Sequence, residues 1–95
     1  MHNAGMDDSM IVEQFKALGD PVRWAIVSEL RGGLRCACEL ADTAGVSAPL
    51  LSHHLKVLRE AGLINGFRRG RWIDYTLNTD ALAHLSMVFG LEAVS

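Results

Sequence analysis

Residues 46–77, VSAPLLSHHLKVLREAGLINGFRRGRWIDYTL, decide the fold. Ser47 stands where a helix cap is wanted, and the helix it opens runs to about Ala61 with Pro49 tolerated in its first turn. On a wheel of about 100° per residue, Leu51, Leu55 and Leu58 fall on one side. Pro49, His53 and Lys56 point the opposite way, with Ser52 and Arg59 on a shoulder. His54 flanks the apolar stripe, where a half-buried imidazole bonded to backbone is expected. Past Ala61-Gly62 come two strand-like runs, about Ile64–Arg68 and Arg71–Leu77, turning at Arg69-Gly70. A helix with a polar outer face beside a cationic hairpin is the layout of a winged helix-turn-helix.

The rest of the chain supplies the support for that pair. Residues 1–7 read as a flexible start, and 8–92 as one domain. A first helix over about Asp8–Leu18 spaces Ile11, Phe15 and Leu18 helically, and Gly19 stops it. Asp20-Pro21 restarts the chain as cap and first helical residue, and Val22, Ile26, Val27 and Leu30 follow as buried positions before Gly32-Gly33. A short third helix begins near Cys36 and stops at Gly45, and a last one, about Asp80–Leu91, carries Leu82, Leu85, Val88 and Phe89. The fold expected is therefore mainly α, with four helices, a small β-hairpin and a fifth helix. The apolar stripes of the first and last helices are wide for surface helices, so a homodimer joined through these two is expected.

Ninety-five residues suit one domain with a modest core. The net charge of −2 is uneven. Residues 46–73 hold Lys56, Arg59, Arg68, Arg69 and Arg71 against Glu60 alone, a local +4 that leaves −6 elsewhere. Local sign governs phosphate contact, so this segment suits double-stranded DNA. The hairpin arginines repel one another with no local acid to pair with, and an anion such as a phosphate backbone would relieve them. Hydroxyl and imidazole groups on the helix face suit base edges, and Lys56 a phosphate or guanine. The predicted DNA-contact set is Ser47, Ala48, Pro49, Ser52, His53, Lys56, Arg68, Arg69 and Arg71. No apolar run approaches the about 18 residues of a membrane span, and the start lacks a signal-peptide pattern, so a cytoplasmic protein without a membrane partner is expected. No phosphate loop, nucleophile motif or carboxylate pair points to an enzyme.

The other chemical feature is Arg35-Cys36-Ala37-Cys38-Glu39. Cys36 takes the place that Ser or Thr fills in a capping box with Glu39, which puts Cys38 in the first turn. The helix N-terminus favours the thiolate that binds metal or meets oxidants. The two cysteines read as too close for an ordinary bridge, and a reducing compartment would keep both as thiols. In a regular helix, residues two apart point about 200° from each other, so sharing one ion requires Cys36 to lie outside the helix or the helix to unwind.

The runs FKALGDPVRWAIVSEL, CEL, SAPLLSHHLKVLREAGLI and GRWIDYTL, in that order, resemble the ArsR/SmtB family of metal-responsive winged-helix repressors. The resemblance covers nearly the whole chain. Gly19-Asp20-Pro21 with Arg23, Ser52 with His54-Leu55, Leu58 with Ala61-Gly62-Leu63, and Gly70-Arg71 carry it. It implies a homodimer on an inverted-repeat operator, released when an inducer binds. It also implies Cys36 and Cys38 as ligands of a thiophilic ion such as arsenite, antimonite, Cd, Pb or Zn. Where the arsenic-sensing pattern has a third cysteine, this chain has Ala41, leaving solvent, an external thiol or a distant residue such as His2 to complete a site. The family's last-helix metal site finds only Asp80 and His84 here, which read as a helix-stabilising charge and a surface or interface residue. The alternative is a DNA-binding regulator in which the cysteines sense redox change or persulfide, or which lacks its own inducer site.

Overall fold

The computed structural model describes residues 4–90. The elements run α1 (Ala4–Leu18), α2 (Pro21–Leu30), β1 (Arg35–Cys36), α3 (Ala37–Ala44), α4 (Ala48–Glu60), β2 (Ile64–Arg69), β3 (Trp72–Leu77) and α5 (Thr79–Val88). The strands form one antiparallel sheet in the order β1-β3-β2. This is a winged helix-turn-helix, with α3 and α4 as the helix pair and β2–β3 as the wing.

Local chemistry sets the joints. Asp20 caps α2, its Oδ2 accepting from the Val22 and Arg23 N–H groups at 2.9 and 3.1 Å, with Pro21 as the first helical residue. Gly45 ends α3 at φ +64°, a left-handed position that a side chain would strain. Its N–H reaches Ala41 O at 3.0 Å, and two residues on Ser47 caps α4 through the Leu50 N–H. This short stop and restart turns α4 across α3. After α4, the Leu63 N–H reaches back to Leu58 O, and the chain enters β2 with Leu63 and Ile64 buried. Asn78 closes the far end of the wing, donating from Nδ2 to Gly62 O and accepting at Oδ1 from the Ala81 N–H to cap α5.

The core sits between the sheet and the inner faces of α2, α3 and α4. Ile26, Leu30, Leu40, Leu51, Leu55, Leu58, Leu63, Ile64 and Tyr75 are buried together, joined by Leu85 from α5. Leu51, Leu55 and Leu58 lie on the buried side of α4, as their spacing requires. α1 behaves differently. Among its described side chains Gln14 and Ala17 are buried, while Phe15 stays outside and meets Phe89, just past α5, with ring centroids 5.8 Å apart.

Four expectations about elements need correction. The sheet has a third strand, β1, because Arg35 and Cys36 pair with Tyr75 and Asp74 before α3 begins. The hairpin turns at Gly70-Arg71 rather than at Arg69-Gly70, so Arg69 belongs to β2 and faces Trp72. Gly70 takes φ +62° at the first turn position, which favours glycine. α1 starts at Ala4, ahead of the expected Asp8, and α5 ends at Val88, short of the expected Leu91, which lies outside the described residues.

Candidate nucleic-acid interface

The outward face of α4 is Pro49, Ser52, His53, Lys56 and Arg59, all exposed, with Ala48 in the first turn beside them. Ser52 and Lys56 have no hydrogen-bond or ion-pair partner among the described residues, and the His53 ring is tilted against that of His54 at 5.5 Å. Ser47 Oγ accepts from the Leu50 N–H at 3.3 Å, so its cap is made inside the protein and its O–H stays available as a donor. At the wing, Arg68 and Arg71 are exposed and have no partner among the described residues.

Arg69 corrects the reading of an acid-free wing. Its Nε donates to Asp74 Oδ2 at 2.6 Å and its Nη2 to Asp74 Oδ1 at 3.0 Å. Arg69 faces Trp72 in the hairpin register, so Asp74 is its diagonal neighbour on the same sheet face and a long side chain spans the gap. The Arg69 hydrogen bonds hold the Asp74 carboxyl below the usual carboxylate range, against the opposing effect of burial.

His54 is also different from expectation. It is buried, and its Nδ1 lies 3.0 Å from Arg23 Nη1 rather than on backbone. A guanidinium only donates, so Nδ1 is the acceptor. The same Arg23 donates from Nε to Ala17 O at 2.6 Å and from Nη2 to Lys16 O at 3.4 Å, covering carbonyls at the end of α1, where Lys16 O also accepts from the Gly19 N–H. One side chain thus joins α1, α2 and α4 behind the exposed helix face. The Asp20 carboxyl beside it is held low, first by the Arg23 backbone N–H. Replacing Arg23 with alanine removes hydrogen bonds to a charged group worth about 1.5–3 kcal/mol. At about 4–8 °C per kcal/mol for a domain of this size, the thermal midpoint followed by circular dichroism should fall by roughly 6–24 °C.

The cysteines form a disulfide, Cys36–Cys38, contrary to the expectation of two thiols. The reason is the backbone at Cys36. At φ −79° and ψ 162° it lies in strand β1, outside α3, so the two side chains converge instead of diverging around a helix. The expected capping box is present. Glu39 N–H donates to Cys36 Sγ at 3.4 Å, and Glu39 Oε1 accepts from the Cys36 N–H at 2.8 Å. Among the described residues, no group of three or more His, Cys, Asp or Glu side chains gathers around this pair or elsewhere. The residues present therefore offer two sulfurs and not a full trigonal site; His2, considered as a third ligand, lies outside the described residues. Asp80 sits in the first turn of α5, and His84 is exposed. Among the described residues no helix is long and apolar enough to cross a membrane.

A polar helix face and a basic hairpin mounted on a helix-turn-helix define a winged-helix domain of the kind that meets nucleic acid. Residues 20–66 match the profile described as bacterial regulatory protein, arsR family. The chain is 48% identical over 73 residues to the HTH-type transcriptional repressor SmtB of Mycobacterium tuberculosis, covering 77% of this chain and 54% of that protein. It is 43% identical over 68 residues to the transcriptional repressor SdpR of Bacillus subtilis, covering 72% and 76% of the two chains. A solved structure of a possible transcriptional regulator for arsenical resistance superposes with a TM-score of 0.75 at 33% identity, covering 82% of this chain and 81% of that one. The chain belongs to the arsR family. It spans about half the length of the SmtB repressor it matches.

Proposed function

We propose that this protein is a sequence-specific DNA-binding repressor that acts as a homodimer on an inverted-repeat operator and is governed by chemistry at Cys36 and Cys38. The observation that carries the DNA reading is a set of exposed cations, Lys56 on α4 and Arg68 and Arg71 on the wing, without acidic partners among the described residues and beside the open α4 face. Ser47, Ala48, Pro49, Ser52 and His53 present that face to the major groove, and the wing lies along the neighbouring backbone. The working unit is residues 8–92, with the cytoplasm as its location.

The dimer reading rests on Phe15, Met87, Val88 and Phe89, large apolar side chains left exposed on α1 and α5, with Phe89 61% exposed. A two-fold pairing of those helices would cover them. Sedimentation at micromolar concentration should give twice the chain mass; a strictly monomeric mass counts against it.

Two inducer readings meet at Cys36. As dithiols, Cys36 and Cys38 would hold a thiophilic ion such as arsenite, antimonite, Cd, Pb or Zn through two sulfurs, with the remaining ligand from outside the described residues. The bridged pair favours the second reading, a redox switch. There, two thiols lose two protons and pass two electrons to a two-electron oxidant such as peroxide, which becomes water. Either event acts at the cap of α3, which packs against α4, and at the β1–β3 junction opposite Asp74. Couplings of this kind change affinity by roughly 5–150-fold. DNA-shift titrations of the reduced protein with arsenite, cadmium, lead, zinc and peroxide should show one of them releasing the duplex. The Cys36→Ser/Cys38→Ser variant should bind DNA as tightly as the reduced protein and respond to none. Retained release in that variant would remove the cysteines from the mechanism.

A further inference from the structure

The three hairpin arginines are not equivalent. Arg68 faces Ile73 on the opposite side of the sheet, and Arg71 lies in the turn; both end in solvent without a partner among the described residues. Arg69 is gripped. Its two bonds to Asp74 fix the guanidinium plane, and Asp74 is itself only 6% exposed, so the carboxylate has little room to move with it. The Arg69 side chain is nonetheless 63% exposed. A guanidinium has five N–H donors, and the pair to Asp74 engages one on Nε and one on Nη2. The three others, on Nη1 and the outer side of Nη2, remain open to solvent.

Two consequences separate Arg69 from its neighbours. Its charge is neutralised locally by Asp74, so it is a poor counterion for a phosphate and releases little bound salt on contact. Its side chain is already ordered, so meeting a ligand costs less rotamer freedom than at Arg68 or Arg71. A fixed, planar, neutralised donor edge is suited to recognition by geometry rather than to attraction by charge. On duplex DNA the minor groove over A·T pairs offers such a donor edge only acceptors, A N3 and T O2, whereas G·C places the opposing G N2–H2 donor there.

We propose that Asp74 is a positioning residue that presents Arg69 to a narrow A·T-rich minor groove flanking the site read by α4, making Arg69 the specificity-determining residue of the wing while Arg68 and Arg71 supply charge alone. The inference rests on the DNA-binding reading above.

The test uses the full chain and a duplex selected by the wild-type protein from a random pool. Affinities are measured for that duplex, for the same duplex with its flanking A·T pairs changed to G·C, and for an unrelated duplex. Asp74→Asn and Arg69→Lys should each lose roughly 5–20-fold of the preference for A·T flanks, the scale of a lost bidentate contact. Arg69→Lys should weaken binding to the A·T-flanked duplex by more than it weakens binding to the unrelated duplex. Arg68→Ala should keep the flank preference while its salt slope falls by about 1. Asp74→Asn combined with Arg69→Lys should lose no more than either alone. Flank preference retained in both single variants, or lost in Arg68→Ala, overturns the proposal. If Asp74→Asn unfolds the hairpin, visible as lost β2–β3 amide contacts by NMR, Arg69→Lys decides alone. Failure of the wild-type protein to bind any duplex removes the DNA reading and this inference together, a result distinct from wild-type binding with unaltered variants.

Discussion

Replacing Arg68 and Arg71 together with alanine should reduce the dependence of log affinity on log salt by about 1.8, from a slope of about −0.9 per phosphate contact. At 0.15 M salt that corresponds to roughly 30-fold weaker binding to operator and to unrelated duplex alike, because released counterions carry no sequence information. Neither side chain has a partner among the described residues, so the thermal midpoint should move by no more than about 2 °C. The pattern separates a charge contact from a folding defect. An unchanged salt slope would show that these arginines do not meet the backbone, whatever the change in affinity.

Leu58→Ala is the second large effect, and it acts from the other side of the same helix. Leu58 is 0% exposed and belongs to the buried cluster that includes Ile26, Leu55, Leu63 and Ile64. Truncation of such a leucine costs about 3–5 kcal/mol, as lost burial plus a cavity that a rigid core fills only in part. A domain of this length has a total stability of about 5–14 kcal/mol, so one substitution removes roughly a fifth of it or more. The midpoint should fall by roughly 12–40 °C, read by circular dichroism or calorimetry. Once corrected for the folded fraction, DNA affinity should be close to wild type, since no groove-facing side chain has changed. A folded variant that loses DNA binding would mean that α4 has shifted in its seat.

The helices were legible because their ends carry local chemistry. Asp20-Pro21, Gly45 and Ser47 each fix a boundary within one or two residues, and the heptad-like spacing of Leu51, Leu55 and Leu58 settles which way α4 faces. What escaped was long-range or very short. Strand β1 has two residues, too few for any alternation to register, yet it moves Cys36 out of α3 and so changes what the two sulfurs do. The charge window 46–73 stopped one residue before Asp74, and the diagonal reach from Arg69 depends on a register set by a turn that lies one residue later than expected. The Arg23–His54 bond joins positions 31 apart, and no spacing rule connects them. The candidate contact face of α4 could be read from its wheel. The division of labour among the wing arginines could not, because it depends on who neutralises whom.

The order β1-β3-β2 leaves β2 with one side unpaired, a row of backbone donors and acceptors running past Gly66 and Phe67. An open border of this sort is a template for another copy of the chain, and natural sheets guard it with charge. Arg68 and Arg71 stand at its far end without a partner among the described residues, so they also repel a second wing approaching the first. Solubility and DNA grip therefore share the same side chains here. Neutralising the hairpin would trade a weaker regulator for a stickier one, most visibly at high protein concentration and low temperature of storage, where edge-to-edge stacking has time to grow.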